Sequence, residues 1–147
     1  MIEYMRMCRE HIDGMIEIEK QCFDSGFARQ TFEKELENKI AIYVVALKNG
    51  VIAGYAGLWN ICGEADIMHV GVGKEFRRQG IAFEMLKRLI EICNEESVYE
   101  VNLEVRKSND AAQKLYEKLG FERVGLRKNY YEGTEDAVLM KLDLEKN

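Results

Sequence analysis

The chain has 147 residues, 47% of them hydrophobic and 32% charged, a balance that supports a packed core and excludes a disordered chain. None of the residues is proline, which removes collagen-like, polyproline and Pro-rich linker classes. The net charge of −5 argues against sequence-independent nucleic-acid binding and suits a basic or amine-bearing partner.

In chain order, the first helical pattern is Arg9 to Lys20, with Ile12, Met15, Ile16 and Ile18 apolar. A shorter helix is expected over Gln30 to Asn38, where Phe32 and Leu36 lie four apart. Two β-rich runs come next, Ile40 to Leu47 and Val51 to Ile61, separated by Lys48-Asn49-Gly50, and Asn-Gly is a strong hairpin signal. A third strand, Ala65 to Val72, comes after a turn at Gly63-Glu64. The period then changes: Gly80 to Cys93 sets Phe83, Leu86, Leu89, Ile90 and Cys93 on one helical stripe. Val98 to Arg106 alternates, with Val101, Leu103 and Val105 on one face and Asn102, Glu104 and Arg106 on the other. Ser108 or Asn109 caps a helix over Asp110 to Leu119, and Gly120 ends it. Strands Phe121 to Arg127 and Ala137 to Leu144 flank a Tyr130-Tyr131-Glu132-Gly133 loop. The order predicts an α/β (α+β) protein, one domain over residues 1–147, with a mixed sheet carrying helices on its faces.

The longest apolar run, Ile40 to Leu47, falls far short of the ~20 residues of a membrane span. The start, Met1-Ile2-Glu3-Tyr4, has no signal-peptide character. Cys8, Cys22, Cys62 and Cys93 form no C-x-x-C, and no histidine is spaced for zinc. The expectation is free thiols packed as small apolar residues, a cytoplasmic setting and no metal.

The chemistry-bearing segment is Arg77-Arg78-Gln79-Gly80-Ile81-Ala82, between a strand and the strongest amphipathic helix. A loop entering a helix presents unpaired N–H groups and a partial positive charge, which suits a pyrophosphate. Gly80 admits close approach, Ala82 keeps the first turn slim, and Arg77 and Arg78 add charge-assisted contacts. Gly71-Val72-Gly73-Lys74-Glu75-Phe76 breaks the G-x-G-x-x-G pattern, and no P-loop is present. Taken alone, these residues suit a solvated basic helix cap equally well.

Together with the residues C-terminal to it, this segment resembles the GNAT superfamily of acetyl-CoA-dependent N-acetyltransferases, whose [QR]-x-x-G-x-[GA] signature is met by Arg77, Gly80 and Ala82. The second half is similar to the RimI-type ribosomal-protein-alanine N-acetyltransferases. The matching stretches are Leu103 to Arg106, Ser108 to Ala112, Leu115 to Phe121, Arg127 to Tyr131 and Glu135 to Ala137. The resemblance implies a twisted, mostly antiparallel sheet with helices on both faces. It implies acetyl-CoA as cosubstrate, bound by Arg77, Arg78, Gln79, Gly80, Ile81 and Ala82, by the backbone of Val70 and Val72, and by Asn109, which also suits an N-cap. It makes Glu104 the general base and Tyr116 the general acid for the departing thiolate, and it places Tyr130 and Tyr131 in the acceptor groove, with Arg127 as a supporting charge.

An α-amino acceptor, with a pKa of about 7.7–8.0, needs only modest help to lose its proton, whereas a lysine at about 10.4 needs much more. Read without the motif, Glu104 is a solvent-facing strand residue, Tyr116 a core aromatic and Tyr130-Tyr131 hairpin packing. His69 reads as a structural strand histidine. The resemblance implies that the strand Met68 to Val72 splays from Val101 to Val105, leaving backbone groups free. The implied reaction is direct acetyl transfer in a ternary complex, and no cysteine stands in a nucleophile setting. The favoured acceptor is a protein or peptide N-terminus such as that of a ribosomal protein. The alternatives are a small amine (polyamine, amino acid or antibiotic) or a non-catalytic acyl-CoA sensor. Two departures from relatives concern missing prolines, in the acceptor loop Cys22 to Arg29 and at the Gly73-Lys74 turn. The first bears on acceptor identity, the second on how the cofactor loop is held.

Overall fold

A computed structural model describes residues 1–22, 29–131 and 133–145. The acceptor-loop residues 23–28, with their missing proline, and Glu132 of the hairpin loop lie outside the described residues. The elements are β1 (Ile2–Arg6), α1 (Ile12–Cys22), α2 (Arg29–Glu37), β2 (Ala41–Lys48), β3 (Val51–Ile61), β4 (Glu64–Val72), α3 (Ile81–Glu95), β5 (Glu100–Arg106), α4 (Asp110–Lys118), β6 (Glu122–Tyr131) and β7 (Glu135–Asp143). They form one seven-stranded sheet in the order β1-β2-β3-β4-β5-β7-β6. Every neighbouring pair is antiparallel except β4 and β5.

Alternation along the strands loads both sheet faces. Ile42, Val44, Ala56, Leu58, Val101, Leu103 and Val105 pack with Leu86 and Leu89 of α3 and Tyr116 of α4. On the opposite face Tyr43, Val45 and Tyr55 meet Ile12, Met15 and Ile18 of α1 and Phe32 of α2. At roughly 25 cal/mol per Å² of apolar area, these layers are the main stabilising term.

Four details depart from the sequence reading. β1 has no counterpart in the predicted order: five residues of mixed polarity become a strand because they pair with β2, from Ile2↔Lys48 to Arg6↔Val44. The first helix opens as a 3-10 turn over Arg9–His11, closed by the Cys8 N–H donating to His11 Nδ1 at 3.0 Å. In α3 the buried stripe is Ile81, Met85, Leu86, Leu89 and Cys93. Phe83 is only half-buried and carries the Lys118 ammonium 5.5 Å from its ring centroid. Tyr130 and Tyr131 belong to β6 rather than to a loop, because a bulge between Arg127 and Tyr131 lets the strand continue. Asn129 turns left-handed there (φ 52°), a conformation asparagine tolerates, and its N–H donates to Asp136 Oδ1 at 2.9 Å.

All four cysteines are free thiols; Cys93 is buried in the core and Cys22 packs, partly buried, against the α1–α2 layer, whereas Cys8 and Cys62 are exposed. Among the described residues, no helix is long and apolar enough to cross a membrane.

Candidate active site

The parallel pairing of β4 with β5 covers only Glu64↔Glu100, Ala65↔Val101 and Asp66↔Asn102. Beyond it the strands diverge, and the β3–β4 register shifts across Met68. The Gly73 N–H donates to Ala53 O at 2.8 Å, so by antiparallel alternation His69 and Gly71 turn their backbone groups to β3. Val70 and Val72 therefore turn theirs toward the opened β5 side. The Val72 carbonyl accepts from Arg77 Nε at 3.2 Å and from the Cys22 thiol at 3.4 Å. The Arg77 guanidinium is thus engaged in tying the end of α1 to the end of β4, with Nη2 3.7 Å from Cys22 Sγ.

A 3-10 turn at Lys74–Phe76 leads through Arg78 (φ 64°) and Gln79 to Gly80 (φ 75°), the N-cap of α3. No side chain caps this end. The first intrahelical acceptor, Gly80 O, receives Glu84 N–H at 3.1 Å, so the N–H groups of Ile81, Ala82 and Phe83 precede the helical ladder. Open space surrounds the position a Cβ on Gly80 would take. An uncapped fifteen-residue helix with a left-handed glycine at its mouth is physically suited to an anion. Gln79 is held by Lys48, whose ammonium donates to its Oε1 at 3.0 Å.

Next to the splay lies a cavity of about 610 Å³, lined by Asp66, Met68, Glu104, Arg127, Tyr130 and Tyr131 among others. Glu104 enters it because β5 alternation turns Asn102, Glu104 and Arg106 away from the α3 face. Its Oε1 is 3.3 Å from Arg127 Nη1. The Tyr130 phenol hydrogen-bonds the same carboxylate, and that bond and charge hold its pKa above the usual value. Arg127 stacks over the Tyr130 ring at 5.0 Å and Arg106 over Tyr131 at 4.4 Å, which fixes both aromatics.

Tyr116 does not line this cavity. It lies in the core behind it, 8% exposed, with its ring 5.6 Å from Phe121. Burial, with a smaller contribution from Tyr131, pushes its phenol up to about 12. Asn109 caps α4: Oδ1 accepts the Ala112 N–H at 3.1 Å, which leaves its amide N–H groups for a ligand. His69 is half-buried, its ring 6.4 Å from that of Tyr55, and burial lowers its pKa against the opposing charge of Glu35.

Sequence reasoning missed several residues here. Asp66 and Met68 line the cavity, and the strand period of β4 was the available signal for Asp66. Gln113 is buried and donates to Arg106 O and Lys107 O at 3.0 and 2.9 Å, clamping α4 to the end of β5. Glu135 accepts from Arg106 Nη1 at 3.1 Å and from the Ser108 N–H at 2.9 Å, shaping the loop before α4. Away from the cavity, Cys8, Glu10 and His11 bring a thiol, a carboxylate and an imidazole within 4.8 Å of one another. One imidazole nitrogen is already used by the turn that joins them.

A family model, Acetyltransferase (GNAT) family, matches residues 12–121. The chain is 40% identical over 133 residues to a candidate ribosomal protein bS18-alanine N-acetyltransferase of Bacillus subtilis, covering 89% of this chain and 88% of that one. It is 36% identical to N-alpha-acetyltransferase RimI of Mycobacterium tuberculosis, covering 86% and 83%. The crystal structure of the ribosomal-protein-S18-alanine N-acetyltransferase from Escherichia coli superimposes with a TM-score of 0.89 at 29% identity, over 98% of this chain and 94% of that one.

Proposed function

The chain belongs to the GNAT acetyltransferase family and is a RimI-like N-acetyltransferase, and from that premise we propose that it moves the acetyl group of acetyl-CoA onto the N-terminal α-amino group of a protein, a ribosomal protein in the cytoplasm first among them. Acetyl-CoA supplies the acyl group as a thioester with a thiolate leaving group. The observation that carries the reading is the end of β4–β5 pairing at Asp66↔Asn102, with Glu104 on the same face one alternation further along β5. Beyond that pair the β5 side of β4 has no strand partner among the described residues, and the Glu104 carboxylate lines the cavity beside it.

The uncapped N–H groups of Ile81 and Ala82, at the Gly80 mouth of α3, bind the pyrophosphate, with Arg78 and Gln79 flanking them. The Val70 and Val72 backbones hold the pantetheine arm along the β4 edge, and Asn109 contacts it with the amide donors its cap bond leaves over. Glu104 accepts the ammonium proton of the acceptor, whose pKa of about 7.7–8.0 already leaves part of it neutral at pH 7. The Val70 and Val72 N–H groups donate to the thioester oxygen as it gains negative charge.

Tyr116 keeps its proton throughout the physiological range, because its phenol sits at about 12. Complete transfer to a thiolate of ordinary pKa near 8.5 is uphill by roughly 3–4 units, or about 5 kcal/mol. Tyr116 therefore stabilises the leaving sulfur as a hydrogen-bond donor, and solvent completes the protonation. Tyr130 and Tyr131, pinned by Arg127 and Arg106, form the rigid wall against which the acceptor backbone lies.

The test is acetyl-CoA with a short alanine-started peptide whose lysines are blocked, read by mass spectrometry. Acetyl on the α-amine supports the reading. Turnover only with small amines, or binding of CoA without turnover, contradicts it.

A further inference from the structure

β4 carries one residue more than β3 where its pairing with β5 ends. Gly57 and Trp59 are two residues apart on β3, whereas their partners His69 and Asp66 are three apart on β4. Met68 is the extra residue of a β-bulge, and it changes the phase of the strand. Ala65 and Ile67 before it and Val70 after it all pack on the α3 face. Had β4 kept the phase of Asp66, Val70 and Val72 rather than His69 and Gly71 would turn their backbone groups to β3. The bulge is therefore what leaves the backbone groups of Val70 and Val72 to the β5 side.

A bulge disrupts the ladder that holds it, so its register needs bonds from outside the two strands. One carboxylate spans it. Glu35, half-buried on α2, accepts the Tyr43 hydroxyl at 2.6 Å and the Trp59 indole N–H at 2.8 Å on the same oxygen, Oε2. Tyr43 pairs with Gly57 on one side of the bulge, and Trp59 pairs with Asp66 on the other. The Tyr43 ring lies over Gly57 so closely that a Cβ there would come within 2.2 Å of it. The other Glu35 oxygen accepts the Asn38 amide at 3.2 Å, in the turn from α2 into β2. Burial, then the bond to Glu35, raises the Tyr43 phenol above its usual value, so this donor keeps its proton.

We infer that Glu35 is a positioning residue for acetyl transfer: by tying Tyr43 to Trp59 it holds the Met68 bulge in the register that aims the Val70 and Val72 N–H groups at the thioester. This rests on acetyl-CoA lying along those two residues, and it is independent of which amine accepts the acetyl group. Glu35 acts through β2 and β3 and lines no part of the cavity beside Glu104.

The test reads the carbonyl stretch of acetyl-CoA, isotope-labelled at the thioester carbon, by infrared difference spectroscopy on the binary complex with no acceptor present. Wild type is expected to shift the band to lower frequency than in water, the signature of N–H donors on the oxygen. Glu35→Ala loses that shift, and Glu35→Gln, whose carbonyl still accepts both donors, keeps it. The double variant Tyr43→Phe with Trp59→Phe leaves Glu35 in place, removes both donors and also loses the shift, which decides the matter should Glu35→Ala fail to fold. With the alanine-started peptide, kcat follows the band, falling about 10- to 100-fold in Glu35→Ala and staying within about threefold in Glu35→Gln. A wild-type band in Glu35→Ala or in the double variant, or a lost shift in Glu35→Gln, overturns the role of Glu35 and leaves the cofactor reading standing. No shift in wild type overturns the placement of the thioester at Val70 and Val72, and this inference with it.

Discussion

Arg127 Nη1 stands 3.3 Å from Glu104 Oε1, and the same guanidinium covers the Tyr130 ring whose hydroxyl bonds Glu104. The two charged side chains are 54% and 31% exposed, so solvent screens the pair and its contribution is at most about 1 kcal/mol. It is a counter-ion an acceptor ammonium can replace. A double-mutant cycle with Arg127→Gln and Glu104→Gln, measured by urea unfolding, is expected to give a coupling below about 1 kcal/mol. A coupling above about 2 kcal/mol would make the pair a rigid strut rather than a displaceable one.

Replacing Tyr116 by Phe removes the hydrogen bond to the leaving sulfur and keeps the ring against Phe121. Thiol release should slow by about 10- to 100-fold, the scale of one lost donor to a developing charge, while acetyl-CoA affinity holds. Because Tyr116 stands behind the cavity wall rather than in it, wild-type turnover in this variant would reduce it to a core aromatic.

Gly80 stands at φ 75° with nothing inside the protein near its Cβ position. An alanine there carries roughly 1–2 kcal/mol of left-handed strain, and its methyl occupies the anion's approach to α3. Calorimetry on Gly80→Ala should show CoA binding weakened by about tenfold or more, with a cooperative thermal transition retained. Undiminished CoA affinity would move the pyrophosphate site elsewhere.

Among the described residues, the acid most hidden from water lies in α1 and is bonded by a tyrosine of β3. Glu19 is 1% exposed and accepts the Tyr55 hydroxyl, and burial raises its pKa. A raised folded-state pKa gives stability that is full below the unfolded value near 4.3 and is lost as pH rises through the folded value. Glu19→Gln keeps an acceptor for Tyr55 and removes the ionisation. Its stability relative to wild type should therefore grow from pH 4 to pH 8 in denaturant titrations. A gap independent of pH would show that Glu19 ionises equally easily folded and unfolded.

The sheet and helices were legible where period and composition agree. The β-rich runs of β2 and β3, the alternation in β5 and the capped helix after Asn109 all have strong local signals, and the structure places them within a residue or two. β1 was not legible because its strand character comes from pairing with β2, a long-range contact that five residues do not encode alone. The α3 stripe shifted because Phe83 satisfies the helical period yet packs beneath Lys118 at the surface. Glu104, Arg127 and the tyrosine pair were legible through motif order. Asp66 was legible only as an outward strand residue; its place in the cavity comes from the last β4–β5 pair, Asp66↔Asn102, a long-range register.

The central claim is that Glu104 removes the amine proton during direct transfer from acetyl-CoA. The most direct measurement is acceptor-dependent turnover of Glu104→Gln beside its acetyl-CoA dissociation constant, both taken against wild type. The account predicts kcat lower by about 10²- to 10⁴-fold with acetyl-CoA binding within about threefold. Turnover unchanged across the pH range, with intact binding, would contradict it.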